Sequence, residues 1–294
     1  MSAVACLIAN RERHPLDDRV AAEATRLLKG SVRWLADAEA VEIMAPEIGP
    51  GEAAARLTRL LDDQPLDYAV LPTHHRRKQL LLCDMDSTVI EIECIDELAD
   101  FAGIKREIAA VTRQAMNGEI DFAEALRARV SLLAGLPEEA IEQVIAERLT
   151  LTPGATTMVR TMRANGARTA LVSGGFSPFT RHVQALCGFD EEEANGLEIV
   201  DGRLTGRVAG TVRDASAKLM ALQRLGEGLG LPAAATLAVG DGANDLAMVE
   251  AAGLGVGFRP HPLLRGRADA CIEVGDLTAV LFLQGYRRDE FVTT

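Results

Sequence analysis

No stretch of this 294-residue chain holds the roughly 20 consecutive apolar residues of a membrane-spanning helix. The N-terminus lacks a basic region followed by an apolar core and a small-residue cleavage site. That argues against a secretory leader and for a cytoplasmic protein with no membrane partner. Positive charge is also short: 31 Lys and Arg stand against 43 Asp and Glu, a net charge of -12. A nucleic-acid surface wants a basic stripe, so none is expected. An anionic substrate has to be drawn by local cations rather than by the field of the whole molecule. The five cysteines (Cys6, Cys83, Cys94, Cys187, Cys271) are scattered, odd in number and without a C-x-x-C pair. A disulfide framework or zinc cluster is therefore not expected, and buried thiols in a reducing compartment fit better. An apolar content of 48% and a charged content of 25% are ordinary for a globular chain. The length suffices for one large core or two modest ones.

One stretch organises the rest. Leu80-Leu81-Leu82-Cys83 is a short continuous apolar run, as expected of a strand buried on both faces in a parallel sheet. It runs straight into Asp84-Met85-Asp86-Ser87-Thr88. In such sheets ligands sit just beyond the carboxyl ends of the strands. Asp84 would stand at that end, with Asp86 in the loop beyond.

Before this strand, residues 1–77 alternate as β-α-β-β-α-β: Ala3 to Ala9, Asp17 to Leu28, Ser31 to Leu35, Ala40 to Met44, Gly51 to Leu61 and Tyr68 to Leu71. That order is the ferredoxin-like split βαβ. It resembles the regulatory amino-acid-binding ACT modules in its order of elements alone, and a structural unit, or one that forms a homodimer, with no ligand is the reading favoured. Residues 73–78, with their His and Arg cluster, are expected to be a solvated linker. After Thr88 four short helices are expected (Ile92 to Phe101, Lys105 to Gly118, Asp121 to Ala134, Pro137 to Leu149), an all-α insertion over residues 89–150. Placed after the first strand of the sheet, it would lie over the strand ends as a lid. From Pro153 the strand–helix alternation resumes. Strands are expected at Arg168 to Val172, Leu197 to Val200, Arg203 to Val208, Thr236 to Val239, Gly255 to Phe258 and Ala270 to Val274. The fold class that follows is α/β. A doubly wound, mostly parallel, Rossmann-like sheet (78–88 and 151–294) carries the lid and an N-terminal α+β domain.

Polar clusters then recur at strand or helix ends: Asp84 and Asp86, Ser173 and Gly174, Lys218, and Asp241 with Asn244 and Asp245. An Asp-x-Asp pair, a Ser-Gly-Gly turn or a lone lysine is common by chance. Gly240-Asp241-Gly242-Ala243-Asn244-Asp245 is less so, because two glycines, an amide and two carboxylates make poor loop filler. Carboxylates at neighbouring strand ends repel unless a cation bridges them, and all-oxygen ligands favour a hard cation such as Mg²⁺. Asp84 is then suited to attack phosphorus. Asp86 is suited to protonate the leaving oxygen and later to activate water. Ser173, the Gly174 amide and Lys218 are suited to hold phosphoryl oxygens.

These strings together, over roughly residues 80 to 282, resemble the signature set of the haloacid-dehalogenase-like phosphatases. The likeness is greatest to members acting on O-phosphoserine, through Glu93-Cys94-Ile95-Asp96-Glu97-Leu98 and residues 122–133. The resemblance implies Asp84 as nucleophile, Asp86 as general acid and base, and Asp84, Asp86 (through its backbone carbonyl) and Asp241 as Mg²⁺ ligands. It implies Ser173, Gly174, Lys218 and Asn244 as substrate contacts, with Asp245 and Phe122 in support. It also implies that Glu93 meets the substrate ammonium and Arg129 its carboxylate. From spacing alone, Glu93 reads as one more acid at a helix start and Arg129 as a surface arginine. Transfer of the phosphoryl group to a second alcohol, action on another small phosphorylated alcohol, and a chiefly regulatory amino-acid-binding role remain open.

Overall fold

The computed structural model describes residues 3–45, 47–61, 63–116 and 119–293. The first elements are β1 (Ala3–Ala9), α1 (Asp18–Leu27), β2 (Ser31–Ala36), β3 (Ala40–Ala45), α2 (Pro50–Leu61) and β4 (Leu66–Pro72). Their strands form an antiparallel sheet in the order β2-β3-β1-β4. β1 is apolar throughout because both of its faces are covered. Ala5, Leu7 and Ala9 pack with Ala21, Ala24 and Leu57 of the two helices, whereas Val4, Cys6 and Ile8 join the main core of the chain. α1 starts at Asp17, whose carboxylate accepts from the Arg19 amide at 2.7 Å and satisfies a free donor of the first turn.

β5 (Leu80–Cys83) follows, then α3 (Cys94–Phe101), α4 (Lys105–Met116), α5 (Phe122–Ser131) and α6 (Glu139–Glu147). The expected end of α4 at Gly118 lies outside the described residues. After α7 (Ala155–Ala164), β6 (Arg168–Phe176), α8 (Ser177–Cys187), β7 (Glu191–Val200), β8 (Arg203–Ala209), α9 (Ala215–Gly228), β9 (Thr236–Gly240) and α10 (Leu246–Ala251), the chain ends with β10 (Gly255–Phe258), α11 (Pro262–Arg265), β11 (Ala270–Ile272) and α12 (Ala279–Leu283). The second sheet has the order β11-β10-β9-β5-β6-β7-β8, parallel except for the β7–β8 pair. β5 lies in its middle. Leu80 and Leu82 pack with Ala221, Leu222 and Met248 on one face, while Leu81 and Cys83 belong to the core that holds Met158, Phe179 and Val183 on the other. Each face therefore withdraws two β5 side chains from water, which ties the Asp84 loop to the best-buried part of the molecule.

β7 begins six residues before the hairpin strand expected at Leu197. Its acidic opening, Glu191-Glu192-Glu193, pairs in parallel with β6. Those carboxylates are met by neighbours: Glu191 pairs with Arg168 at 2.8 Å and Glu193 with Arg224, and Glu192 accepts from the Thr180 hydroxyl at 2.5 Å. The expected solvated linker is also corrected in part. Lys78 is buried, donating to the carbonyls of Ala234 at 2.7 Å and Gly253 at 2.9 Å. Arg76 pairs with Glu42 and donates to the Leu283 carbonyl at 3.1 Å. These cations satisfy orphan carbonyls where the N-terminal sheet meets the second unit. Across the same seam the buried Asp67 carboxylate accepts from the amides of Glu273 (2.8 Å), Val274 (3.1 Å) and Gly275 (2.8 Å).

The helical segment leaves and rejoins the second sheet side by side. Ile90 bridges Leu151, the Glu91 amide donates to Thr150 at 3.0 Å, and the Thr152 amide donates to Val89 at 2.9 Å. On its far side it is tied to β8, with Leu204 donating to Leu136 at 2.9 Å and Gly135 to Leu204 at 2.8 Å. Gly206, at φ +83°, lets the two approach: a Cβ there would sit 2.9 Å from that of Ala134.

Candidate active site

Asp84 continues the sheet ladder, its amide donating to the Val239 carbonyl at 2.9 Å, so its side chain is fixed at the strand end. The Met85 amide donates to its Oδ1 at 2.7 Å. Lys218, in the first turn of α9, is buried and lies between two acids, 2.8 Å from Asp84 Oδ2 and 2.5 Å from Asp245 Oδ1. Burial disfavours this ammonium, but Asp84 and Asp245 outweigh it and hold its pKa above the usual lysine value. Burial and then Asp245 push the Asp84 carboxyl well above the carboxylate range, with Lys218 pulling the other way.

Asp245 also accepts from the amides of Asp241 (3.1 Å) and Gly242 (3.0 Å), which shapes the loop after β9. Gly240 is needed for this fold-back, because a Cβ there would lie 2.3 Å from Asp245 Cγ. Asp241 accepts from the Thr88 hydroxyl at 3.3 Å, and burial followed by Asp245 raises its pKa to about 6. Asn244 reaches Asp84 Oδ2 at 3.5 Å.

The Asp86 carboxylate turns elsewhere. It accepts from the Cys94 amide at 2.9 Å and the Ser173 hydroxyl at 3.3 Å, and burial raises its pKa. Ser173 and Gly174 lie where β6 slips register between Val172 and Phe176. A Cβ on Gly175 would come within 2.7 Å of Asp86 Oδ2, so only glycine leaves room for that acid.

The helical segment reaches this cluster from above. The Phe122 ring approaches Gly174, and a Cβ there would be 3.0 Å from Phe122 Cζ. Glu93 opens α3 at the mouth of the site and accepts from the Ser87 hydroxyl at 2.7 Å. The protein around it, then Asp86, raises its pKa to about 7. Arg129 donates through Nε to the Ala125 carbonyl at 3.4 Å. Burial lowers its pKa, while Asp96, Glu93 and Asp86 favour its charge.

All eleven side chains or backbones singled out from the sequence thus fall in one region. The carboxylates that could share an ion among the described residues are Asp84, Asp241 and Asp245, with oxygens within 4.8 Å of one another. The Asp86 side chain is outside that group, and two backbone amides and Lys218 already use Asp245. The all-oxygen donor set of Asp84 and Asp241 fits a hard dication. Sequence reasoning missed three supporting residues. Thr88 orients Asp241. Ser87 holds Glu93 from a left-handed backbone at φ +54°, a conformation uncommon for non-glycine residues. Buried Asn195 donates to the Gly174 carbonyl at 2.9 Å and ties it to Arg213. No signal in the sequence marked it, because the strand expected there began only at Leu197.

The family model of haloacid dehalogenase-like hydrolases matches residues 81–250, and the chain belongs to that family. Similar proteins narrow the comparison. A phosphoserine phosphatase of Streptomyces coelicolor is 46% identical over 76% of this chain and 55% of its own. One from Haemophilus influenzae is 42% identical over 79% of this chain and 74% of its own. The chain thus spans little more than half of the Streptomyces relative. Among solved structures, a family hydrolase of Salmonella enterica serovar Typhi superposes with a TM-score of 0.85 at 29% identity, covering 96% of this chain and 98% of that one.

Proposed function

We propose that this protein hydrolyses O-phospho-L-serine to L-serine and phosphate, the last step of serine biosynthesis, through an aspartyl-phosphate on Asp84. The observation that carries this is the meeting of two layers. The loops at the strand ends supply Asp84, Asp86 and Ser173 and the first turn of α9 supplies Lys218, together what a phosphoryl group needs. The helical segment adds one acid and one arginine, Glu93 and Arg129, the pair that a zwitterionic amino acid needs.

Asp84 attacks phosphorus while Lys218 and Ser173 hold the phosphoryl oxygens. Asp86 gives its proton to the departing serine oxygen, for which its raised pKa suits it, and then takes a proton from the water that hydrolyses the intermediate. Asp84, Asp241 and the Asp86 backbone carbonyl are the residues that would hold Mg²⁺, which supplies positive charge against the phosphate dianion. Asn244 and Asp245 keep this loop in place. Residues 89–150 act as a lid whose Phe122 excludes water above Gly174.

The N-terminal unit, residues 1–77, is read as a ferredoxin-like, ACT-like domain. Its edge strand β2 is available to a second copy, in support of a homodimer in the cytoplasm. Acid quenching during turnover of radiolabelled phosphoserine tests the mechanism. Label should appear on Asp84, and Asp84→Asn should leave the fold intact, carry no label and retain less than about a thousandth of the rate. Label on another residue would remove Asp84 from the nucleophile's role.

A further inference from the structure

Residues 173–175 leave the sheet ladder. Val172 pairs with Glu193 and Phe176 with Asn195, so β6 advances four residues while β7 advances two. The backbone groups between these pairs lose their strand partners and have to find others. The Gly174 carbonyl finds the side chain of Asn195, whose Nδ2 donates to it at 2.9 Å. Asn195 is fully buried, and both ends of its amide are engaged. Nδ2 also donates to the Arg213 carbonyl at 3.2 Å, and Oδ1 accepts from the Arg213 amide at 2.7 Å. Its own backbone carbonyl accepts from the Ser177 hydroxyl at 3.1 Å. One side chain thus spans two pieces of the phosphoryl pocket. On one side is the turn that holds Ser173 and Gly174. On the other is Arg213, next to the Asp214 cap of α9, whose first turn carries Lys218.

The bond to Gly174 reaches further than that carbonyl. The Gly174 carbonyl and the Gly175 amide are two ends of one peptide group. That amide donates to Ser173 Oγ at 2.9 Å, and Ser173 donates to Asp86 Oδ2 at 3.3 Å. Three hydrogen bonds therefore run in one direction, from Asn195 through the peptide and Ser173 to Asp86, and each polarises the next. With one lone pair taken by the Gly175 amide, the Ser173 hydroxyl keeps its proton turned toward Asp86, or toward a phosphoryl oxygen when one is bound. A peptide flanked by two glycines meets little side-chain hindrance to rotation. Rotated by half a turn, it would withdraw the Gly175 N–H from Ser173 and present a carbonyl oxygen in its place. An oxygen there would repel a carboxylate and a phosphate alike. Asn195 holds that carbonyl on the far side.

On the phosphoryl-transfer reading of the site, on which this rests, we propose that Asn195 is a positioning residue. It holds the Gly174–Gly175 peptide in the orientation that supports Ser173, and it fixes that turn relative to the start of α9 and hence to Lys218. It touches neither the substrate nor the reacting atoms, and acts through the groups that do.

Three variants of the full chain test this. Asn195→Asp keeps the size of the side chain and an oxygen for the Arg213 amide, but a carboxylate has no proton for the Gly174 carbonyl. Asn195→Ala removes all three side-chain bonds. Ser177→Ala, the control, removes a bond to Asn195 that is not part of the chain leading to Asp86. Each is assayed with Mg²⁺, per mole of folded protein, for kcat and KM on phosphoserine and on an aryl phosphate, and for competitive inhibition by inorganic phosphate. Both Asn195 variants should lose about tenfold or more in kcat/KM. The factor should be the same on the two substrates, which share the phosphoryl group, and the inhibition constant of phosphate should rise. Ser177→Ala should keep wild-type kinetics even where it melts lower. A residue that only supported the fold would lower the melting temperature and leave the kinetics of the folded enzyme unmoved. Folded Asn195→Asp with wild-type kcat/KM and phosphate inhibition would overturn the proposal, and that variant decides alone where Asn195→Ala does not fold. A loss confined to phosphoserine, or an equal loss in Ser177→Ala, would overturn it as well. Aryl phosphate turnover and phosphate inhibition do not depend on which alcohol the enzyme releases. A wild type indifferent to phosphoserine would therefore count against the substrate assignment and leave this test intact.

Discussion

At the scale of the residue, the site works by giving neighbouring acids different surroundings. Asp84 lies against a buried ammonium, 2.8 Å from Lys218, which pulls against the rise that burial and Asp245 impose on its carboxyl. Asp86 makes no ion pair at that range among the described residues; it accepts from the Cys94 amide and the Ser173 hydroxyl, and burial raises its pKa, which suits the proton-carrying role proposed for it. Glu93, raised to about 7, makes a pH prediction. Its ionised form is the one that meets an ammonium. The proton therefore competes with the substrate as pH falls through about 7, and KM for phosphoserine should rise there. An aryl phosphate has no ammonium, so the ratio of the two KM values isolates Glu93 from groups common to both reactions. That ratio, followed from pH 5 to 9 by about half-unit steps, should flatten in Glu93→Gln. An unchanged slope in the mutant would assign the titration to another group.

At the scale of the element, the loops are positioned by the packed strands beneath them. β5 is locked on both faces, and the Asp84–Thr88 loop, the β6 slip and the loop after β9 all emerge at the same edge. Gly175→Ala tests how closely two of them meet. The new methyl would press on Asp86 Oδ2 at 2.7 Å and Ser173 Oγ at 3.1 Å. The variant should fold, losing about 1–3 kcal/mol by denaturant titration, and should lose turnover out of proportion to that. Equal melting and equal turnover would show that the two loops have slack.

Much of this scale was legible in the sequence, because apolar runs ending in Asp, Ser-Gly-Gly or Gly-Asp-Gly mark buried strands with a polar loop. The order of elements in the first 77 residues was legible too, from the switch between periods of 2 and 3.6. What was not legible depended on partners distant in the chain. The start of β7 was hidden because three glutamates read as loop until Arg168, Thr180 and Arg224 are placed beside them. Lys78 and Arg76 read as solvated until the carbonyls they reach are known. Ser87 and Asn195 carry no motif of their own, since their roles come from a backbone twist and a buried turn.

At the scale of the whole molecule, the two units share a core rather than a tether. Val4, Cys6 and Ile8 of β1 lie in the same apolar cluster as Leu281, Phe282 and Leu283. Removing residues 1–77 would uncover that surface and free the amides of residues 273–275 that Asp67 satisfies. All the proposed chemistry lies beyond Lys78, so a fragment kept soluble should retain phosphatase activity while melting well below the full chain. A fragment with an unchanged melting temperature would show that the seam contributes little. Among the described residues no helix is long and apolar enough to cross a membrane. The central claim is that strand ends handle the phosphoryl group while Glu93 and Arg129 read the amino acid. Its most direct test is kcat/KM for O-phosphoserine and phosphoethanolamine, in wild type and Arg129→Ala, with Mg²⁺ and with chelator. Phosphoserine should be strongly preferred by the wild type, and chelator should abolish turnover. Arg129→Ala should cut kcat/KM for phosphoserine by on the order of 10² while hardly touching phosphoethanolamine, which has no carboxylate to lose. Equal losses on both substrates would contradict the assignment and leave Arg129 a structural residue of the helical segment.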